Sequence, residues 1–498
     1  MSNELHIKRF SIRRSLRYHF LHKKLNTFLG YFFLTLIGTG LAYAIAAIDW
    51  RIAPLVLALV GGFLLFIALM KWPYFGFYFL ISFSSCVVVI DRIVNFPLAM
   101  WTLVEVFTYF GLLSILLKYN LKTNINLRFY TNPITVAMYI LFFYYIIELF
   151  NTEMYSRVGW LSFFKKQFSF FVFYYMCYCL LDSKARIIFF VRFMIGLSAV
   201  LALYACKQQW FGYAGFELRY IGTGEGYRLL FQGGLLRKFS VFSDPAASGI
   251  CFAGISMLCI ILIFRGHNKK ERGWLTFALL ANLLGYSYSG TRTATLMIVA
   301  GILLYCVSAI FERRTVNFLL CALGLFLLLM FFPYQNVVTN RIRSTFSGTN
   351  DASASIRDYD RHEVQPYIQA HPMGGGIFTV GMEGMKYNQG HYLEFLQADS
   401  GYMKTLGEQG PIGLALLLFF YFVVMRVGYR SFYRVKDPEI RTYYIGLLVM
   451  MFTLMVAQYS QMAITQYPIV LYFYATMVIF IKLADFDKSV QPAKTIQI

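Results

Sequence analysis

The residues best suited to chemistry fall in two long polar stretches and at one helix start. The longer stretch, from about Gln335 to Ser400, carries Arg341, Arg343, Arg357, Arg361, His362, His371 and His391. It also carries Asp351, Asp358, Asp360, Glu363, Glu383, Glu394 and Asp399. Cations, imidazoles and carboxylates in one segment suit proton transfer on a charged substrate. The histidines lack the short helical spacing of a zinc-protease motif and no Gly-x-Ser-x-Gly elbow appears, so no metal and no other cofactor is expected.

The shorter stretch, from about Lys207 to Asp244, sets Lys207, Arg219, Arg228, Arg237 and Lys238 against Glu217, Glu225 and Asp244. An arginine offers a planar fork of donors that matches phosphate oxygens. Gly222, Gly224 and Gly226 permit close backbone approach, but no strand–helix–strand unit surrounds them, so they are not a dinucleotide fingerprint. The plain alternative for these cations is contact with lipid headgroups. In SGTRTATL, Ser289, Gly290 and Thr291 can cap a helix whose first turn holds Arg292. A cation there faces the positive end of the helix dipole, which is unfavourable unless an anion is near. Arg292 therefore reads as a diphosphate clamp, with a snorkelling side chain as the plain alternative. Lys165 and Lys166 lie within an apolar run, where charge is expensive and often functional. They could reach a lipid phosphate, or rest at the interface.

The elements that carry these residues are membrane helices. Of 498 residues 58% are apolar and 14% charged, with a mean hydropathy of +0.58. A soluble globular chain carries far more charge, and a disordered one far less apolar surface. The net charge of +21 then points to cytoplasmic loops, anionic headgroups and an anionic lipid substrate, not to nucleic acid. The eight cysteines sit in or beside apolar runs and read as small packing residues, not as a disulfide framework.

About fourteen segments satisfy the length of a spanning helix. Their centres lie near Leu36, Leu59, Leu80, Thr108, Leu141, Phe171, Leu197, Gly254, Leu280, Ala300, Leu325, Leu418, Met451 and Tyr474. The expected fold is all-α, a polytopic integral membrane protein. Residues 1–26 form a basic cytoplasmic segment, 27–484 one transmembrane domain and 485–498 a cytoplasmic tail. Lysines and arginines recur in alternate connections, which puts both termini inside and the two long loops, about 207–244 and 335–400, outside. Asp358-Tyr-Asp360 looks like a nucleotide-sugar metal motif, but nucleotide sugars are cytoplasmic and this loop is not.

Three features occur in order: SVFSDPAASG opening a helix, SGTRTATL opening another, and HPMGGGIFTVG followed by DSGYMKTLGEQGPIGL. Together they resemble the bacterial O-antigen ligase and O-antigen polymerase superfamily, over roughly Arg237 to Leu414. The resemblance implies a metal-independent glycosyltransferase similar to the GT-C type in the bacterial inner membrane. Its donor would be an undecaprenyl-diphosphate-linked glycan and its acceptor a glycan or a lipid A-core, met at the outer face. Membrane lipids, and a chain-length regulator or other polysaccharide assembly proteins, are the implied partners. The ligases' Arg-x3-Leu motif is matched by Arg292 and Leu296, and their outer-loop arginine by Arg237. Arg219, Arg228, Lys165 and Lys166 are further candidates for the diphosphate. Arg357, Arg361, His362, His371 and Tyr402 are candidates for the glycan acceptor.

The family's proposed base is a histidine late in the large loop. Aligning Tyr402, Leu406, Glu408 and Gly410 puts Asp399 at that position, with His391 eight residues upstream; either could be the base. The departure favours a polymerase slightly over a ligase. Catalysis would stabilise the departing diphosphate with arginines and deprotonate the acceptor hydroxyl, and in-line displacement would invert the anomeric centre. The alternative is a lipid-linked oligosaccharide flippase. Against it, the outer loops are long and charges are scarce in the helices that would line a transport path.

Overall fold

A computed structural model describes residues 27–487 except 44–45, 48–51, 95–99, 119–126, 233–234, 267–268, 311, 332–339, 341–342, 344, 347–351 and 397–398. The expected cytoplasmic segment 1–26 and residues 488–498 of the tail lie outside the described residues. The chain divides into two compact units, Met1–Lys71 and Trp72–Ile498. The first contains the helices Phe28–Tyr43 and Ile52–Lys71.

The second unit holds the remaining long helices. They are Pro73–Val94, Trp101–Lys118, Pro133–Ile147, Arg157–Leu180, Lys184–Trp210, Pro245–Arg265, Lys269–Ser289, Arg292–Ser308, Arg313–Phe331, the polar Ala352–Ala370, Gly401–Arg434, Pro438–Ala457 and Ile469–Lys482. The strands among the described residues are a hairpin pairing Phe231 with Leu236 and Gln232 with Leu235. The chain is therefore all-α in substance. Every expected centre falls in a helix, because a lipid-embedded backbone must satisfy its hydrogen bonds internally. By length and apolar composition, 8 of the described helices can cross a membrane. The expectation of about fourteen spans thus reduces to eight on this criterion. Among those it leaves out, Arg292–Ser308 is only 17 residues long, and Lys269–Ser289 opens on Lys269, Lys270, Glu271 and Arg272.

Pro245–Arg265 and Pro438–Ala457 form the centre of the second unit, each with 83% of its apolar window buried. Around them, Leu117, Phe143, Phe189, Val200, Leu303 and Val307 are exposed, as lipid-facing side chains are. Polar connections gather at two ends. One end carries ion pairs between short connections: Lys184 with Asp437 (2.9 Å) and Glu439 (2.6 Å), and Arg265 with Glu312 (3.0 Å). The long segments 207–244 and 352–400 pack at the other.

Those segments are built, not slack. Glu217 is fully buried, yet it accepts from Gln208 (2.6 Å), Tyr204 (3.0 Å) and the Ala214 amide (2.6 Å). Arg92 donates to the carbonyls of Phe242 (3.1 Å) and Ser243 (2.8 Å) and lies 3.9 Å over the Tyr220 ring. These contacts order the segment that carries Arg237, whose carbonyl accepts from the Tyr213 hydroxyl at 3.2 Å.

Candidate functional site

Arg237 is 9% exposed and spans two elements. Its Nε donates to the Ser289 carbonyl (2.8 Å), one Nη to Gln232 Oε1 (2.8 Å) and the other to Thr291 Oγ1 (2.9 Å). Thr291 is the N-cap of the Arg292–Ser308 helix, but its side chain makes no capping bond. Instead its hydroxyl donates to the Pro245 carbonyl (2.8 Å). The first-turn amides are thus left without a cap from Thr291, and the half-buried Arg292 stands among them. The Arg237 guanidinium and a helix N-terminus thus meet in one corner, with Arg292 the first residue of that helix, an arrangement suited to an anion. Gly249 allows it: a Cβ there would stand 2.5 Å from Ser289 Oγ and 2.7 Å from Thr291 Oγ1.

A turn after Pro438–Ala457 ties this corner to Asp399. Ser460 and Thr293 share a hydroxyl hydrogen bond of 2.7 Å, and the Gln458 carbonyl accepts from the Gly401 amide at 2.9 Å. Gly401 is required, since a Cβ would meet Gln458 Nε2 at 1.9 Å. Arg292 and Asp399 each adjoin a residue docked with this turn, so three helices fix their separation. Asp399 is exposed, and Ser400 beside it caps its helix by accepting from Met403 N (3.3 Å). Arg361 braces the same turn, hydrogen-bonding the Tyr459 hydroxyl and lying 4.8 Å over its ring.

The glycine run explains how the long loop closes. Pro411 has no N–H, so the Gly407 carbonyl loses its helical donor, and Gly410 breaks the helix at φ 65° and ψ −175°. The Gly375 amide donates to that orphaned carbonyl and the Gly376 amide to the Glu408 carbonyl, both at 2.8 Å. Backbone meets backbone here: a Cβ on Gly374 would lie 2.5 Å from Gly410 N.

His391 is 3% exposed. The Leu393 amide donates to its Nδ1 (3.1 Å), which places the neutral ring's proton on Nε2, 3.3 Å from the Tyr367 hydroxyl. Burial holds its pKa below the ordinary histidine value, against the opposing pull of Glu153 and Glu394. Its acceptor nitrogen is occupied and its other nitrogen donates, so the geometry gives it a structural post. A sign follows. Above the unfolded pKa, near 6.5, the ring is neutral in both states and contributes no pH dependence. Below it the unfolded chain binds the proton first, so stability falls as pH drops. Thermal unfolding between pH 7.5 and 5.5 is expected to show the parent losing several degrees more than His391→Gln; equal losses would remove His391 as the cause.

The remaining candidates are not brought to this corner by any described contact. Arg219 and Arg228 are exposed on the short helices Gly215–Ile221 and Gly224–Leu230. Lys165 is ion-paired with Glu105 at 2.9 Å. Lys166 is half-buried near Lys404, Glu383 and Glu105. Lys404 bonds Glu383 (2.9 Å) and lies 3.8 Å from the buried Glu408. Burial works to raise the Glu383 pKa, but Lys404 beside it overrides this and holds it below the usual carboxylate value. Both lysines therefore belong to an internal charge network. The Tyr402 hydroxyl donates to the Met455 carbonyl (2.7 Å) inside the bundle, which assigns it to helix packing. His362 is exposed, 2.7 Å from the Asp358 carbonyl, and His371 lies 3.7 Å from Glu153. The Arg357 side chain lies outside the described residues. Among the described residues no group of three or more His, Cys, Asp or Glu could hold a metal ion. A cavity of about 500 Å³ between Val191, Leu262, Trp274 and Tyr443 opens at the opposite end and takes no part.

Residues 275–418 match the family model described as O-antigen ligase. The match covers Arg292, Asp399 and the glycine run, and over that stretch the resemblance drawn from the motifs holds. The matched stretch makes the chain similar to the O-antigen ligase family. Arg237 lies outside the matched residues. No curated protein matches the chain.

Proposed function

We propose that this protein transfers or polymerises oligosaccharide units from undecaprenyl diphosphate at the outer face of the bacterial inner membrane. The observation that carries the reading is the Arg237–Thr291–Arg292 corner, where the N-cap hydroxyl is turned away from its helix, the Arg237 guanidinium donates to it, and Arg292 opens the first turn. A departing diphosphate carries the charge such a corner stabilises, without proton bookkeeping. Arg292 and Arg237 hold the donor diphosphate. Asp399 accepts the proton of the attacking hydroxyl, and the sugar inverts at its anomeric carbon. The acceptor is a glycan or a lipid A-core.

The placement of short, basic, ion-paired connections at the end opposite the long segments supports an orientation with both termini cytoplasmic. The full set of fourteen helices would then span the membrane, the short ones met by local thinning of the bilayer or held within the bundle. The competing flippase would also need a basic corner. It has no use for a carboxylate placed by the same turn that places the arginine, and this favours the enzyme. Purified protein in detergent, given lipid-linked glycan and acceptor, separates the two, because detergent leaves nothing to transport across. Glycan transfer is expected, and its absence from folded wild-type protein overturns the reading.

A further inference from the structure

Three rings stand in a stack on the segment between Ala352 and Leu396. His371 and Tyr367 are 4.4 Å apart at 21°, and Tyr367 and Tyr392 are 5.4 Å apart at 9°. The outermost ring, Tyr392, is 61% exposed, and Tyr155 nearby is 64% exposed. The stack is anchored from beneath. Tyr367 hydrogen-bonds the buried His391, and the Tyr155 ring lies 5.4 Å from the same imidazole. His391 is itself confined by Gly375, where a Cβ would come within 2.6 Å of its Cε1.

Carboxylates border the rings. The Tyr392 hydroxyl donates to Glu363 at 3.2 Å, and Glu153 lies 3.7 Å from His371. This combination is not that of a lipid-facing patch, which would present aliphatic side chains without acids beside them. Nor is it a phosphate site, since acids border it. An exposed aromatic face is electron-rich and attracts the weakly positive C–H edges of a pyranose ring. The hydroxyls around that ring need fixed acceptors and donors at the rim. Rigid tyrosines supply contact area at low entropic cost.

We propose that this ledge is a glycan subsite: a sugar ring of the chain being transferred or extended stacks on Tyr392, and Glu363 accepts from its hydroxyls. The inference rests on the glycosyl-transfer reading above, and it assigns the ledge to the carbohydrate, away from the diphosphate corner.

The test uses the full-length protein in detergent and oligosaccharides released by mild acid from the producing cell's own surface polysaccharide. Saturation-transfer NMR is expected to show these binding to the wild type and to Arg292→Ala alike. Tyr392→Ala is expected to weaken that binding and raise KM about tenfold, with kcat within about twofold, while Tyr392→Phe, which keeps the ring, stays near the parent. Varying donor at fixed acceptor, and the reverse, shows which sugar chain the ledge holds by which KM moves. An unchanged KM in Tyr392→Ala overturns the proposal, as does a loss of kcat together with unfolding temperature. So does quenching of Tyr392→Trp by brominated lipid beyond the parent's in nanodiscs, which would put the ledge in the membrane. Oligosaccharide binding without any transfer would instead leave the ledge standing and overturn the function.

Discussion

Replacing Arg292 by alanine is expected to lower kcat/KM for glycan transfer by about 10²- to 10³-fold or more, the loss typical of one preorganised donor to a developing anion. The protein should stay folded. A cation in the first turn is disfavoured by the helix dipole by roughly 0.3–1 kcal/mol, and alanine suits a helix position well. Activity and stability should therefore part company, with transfer lost and the unfolding temperature held. Arg292→Lys keeps the charge but not the planar fork, and it should remain close to the alanine variant. Transfer at the wild-type rate in Arg292→Lys would reduce Arg292 to an interface anchor. Loss of transfer together with folding would make it a structural brace.

For Asp399→Asn the expected result is a fall in turnover of about 10² to 10⁴, the usual contribution of general base catalysis, with little change in KM. Asparagine matches the carboxylate in shape, so the Ser400 cap and the Gly401 contact with Gln458 should survive. His391→Ala makes a useful contrast. His391 is sealed under Tyr367 with its acceptor nitrogen occupied, so its loss should appear first in the unfolding temperature. If Asp399→Asn turns over at the parent's rate while His391→Ala fails in kcat at full stability, the roles are reversed. If both retain turnover, the base lies elsewhere, and Asp358, Asp360, His362 or Glu363 become the candidates.

The helices were legible because long apolar runs have few other uses, and every expected centre lies in one. Their number as true spans was less so. Arg292–Ser308 is short and Lys269–Ser289 is charged at its start, and hydropathy alone treats such helices poorly. In the site, Arg292 stood out through a local conflict between its charge and its place on a helix. Its partner contacts did not. Arg237 and Thr291 are 54 residues apart in the chain, and they meet where the Lys238 amide donates to the Tyr288 carbonyl and Thr291 to the Pro245 carbonyl. Lys165 looked available because Glu105, which neutralises it, lies in a separate apolar run and carries no motif. Gly249 closes SVFSDPAASG in plain view, yet its purpose shows only when Thr291 is seen against it. His391 advertised an imidazole, but the burial that takes it out of reach comes from the glycine run folding over the helix break. Gln458 and Ser460 left no signal at all, since single polar residues in a short connection have no pattern.

The seam between Gly375–Gly376 and Gly407–Glu408 constrains how a substrate can enter. Swinging the long loop open at that point would strip two carbonyls of their donors beside a proline-broken helix. Each bare group costs about 1–3 kcal/mol, so the opened form would be a rare visitor. Entry must therefore take place with this seam shut, from the lipid side or past the loop's far edge. In hydrogen-exchange terms, the amides of Gly375 and Gly376 should be as slow as those of the helices they join, making the loop's root part of the scaffold rather than a hinge.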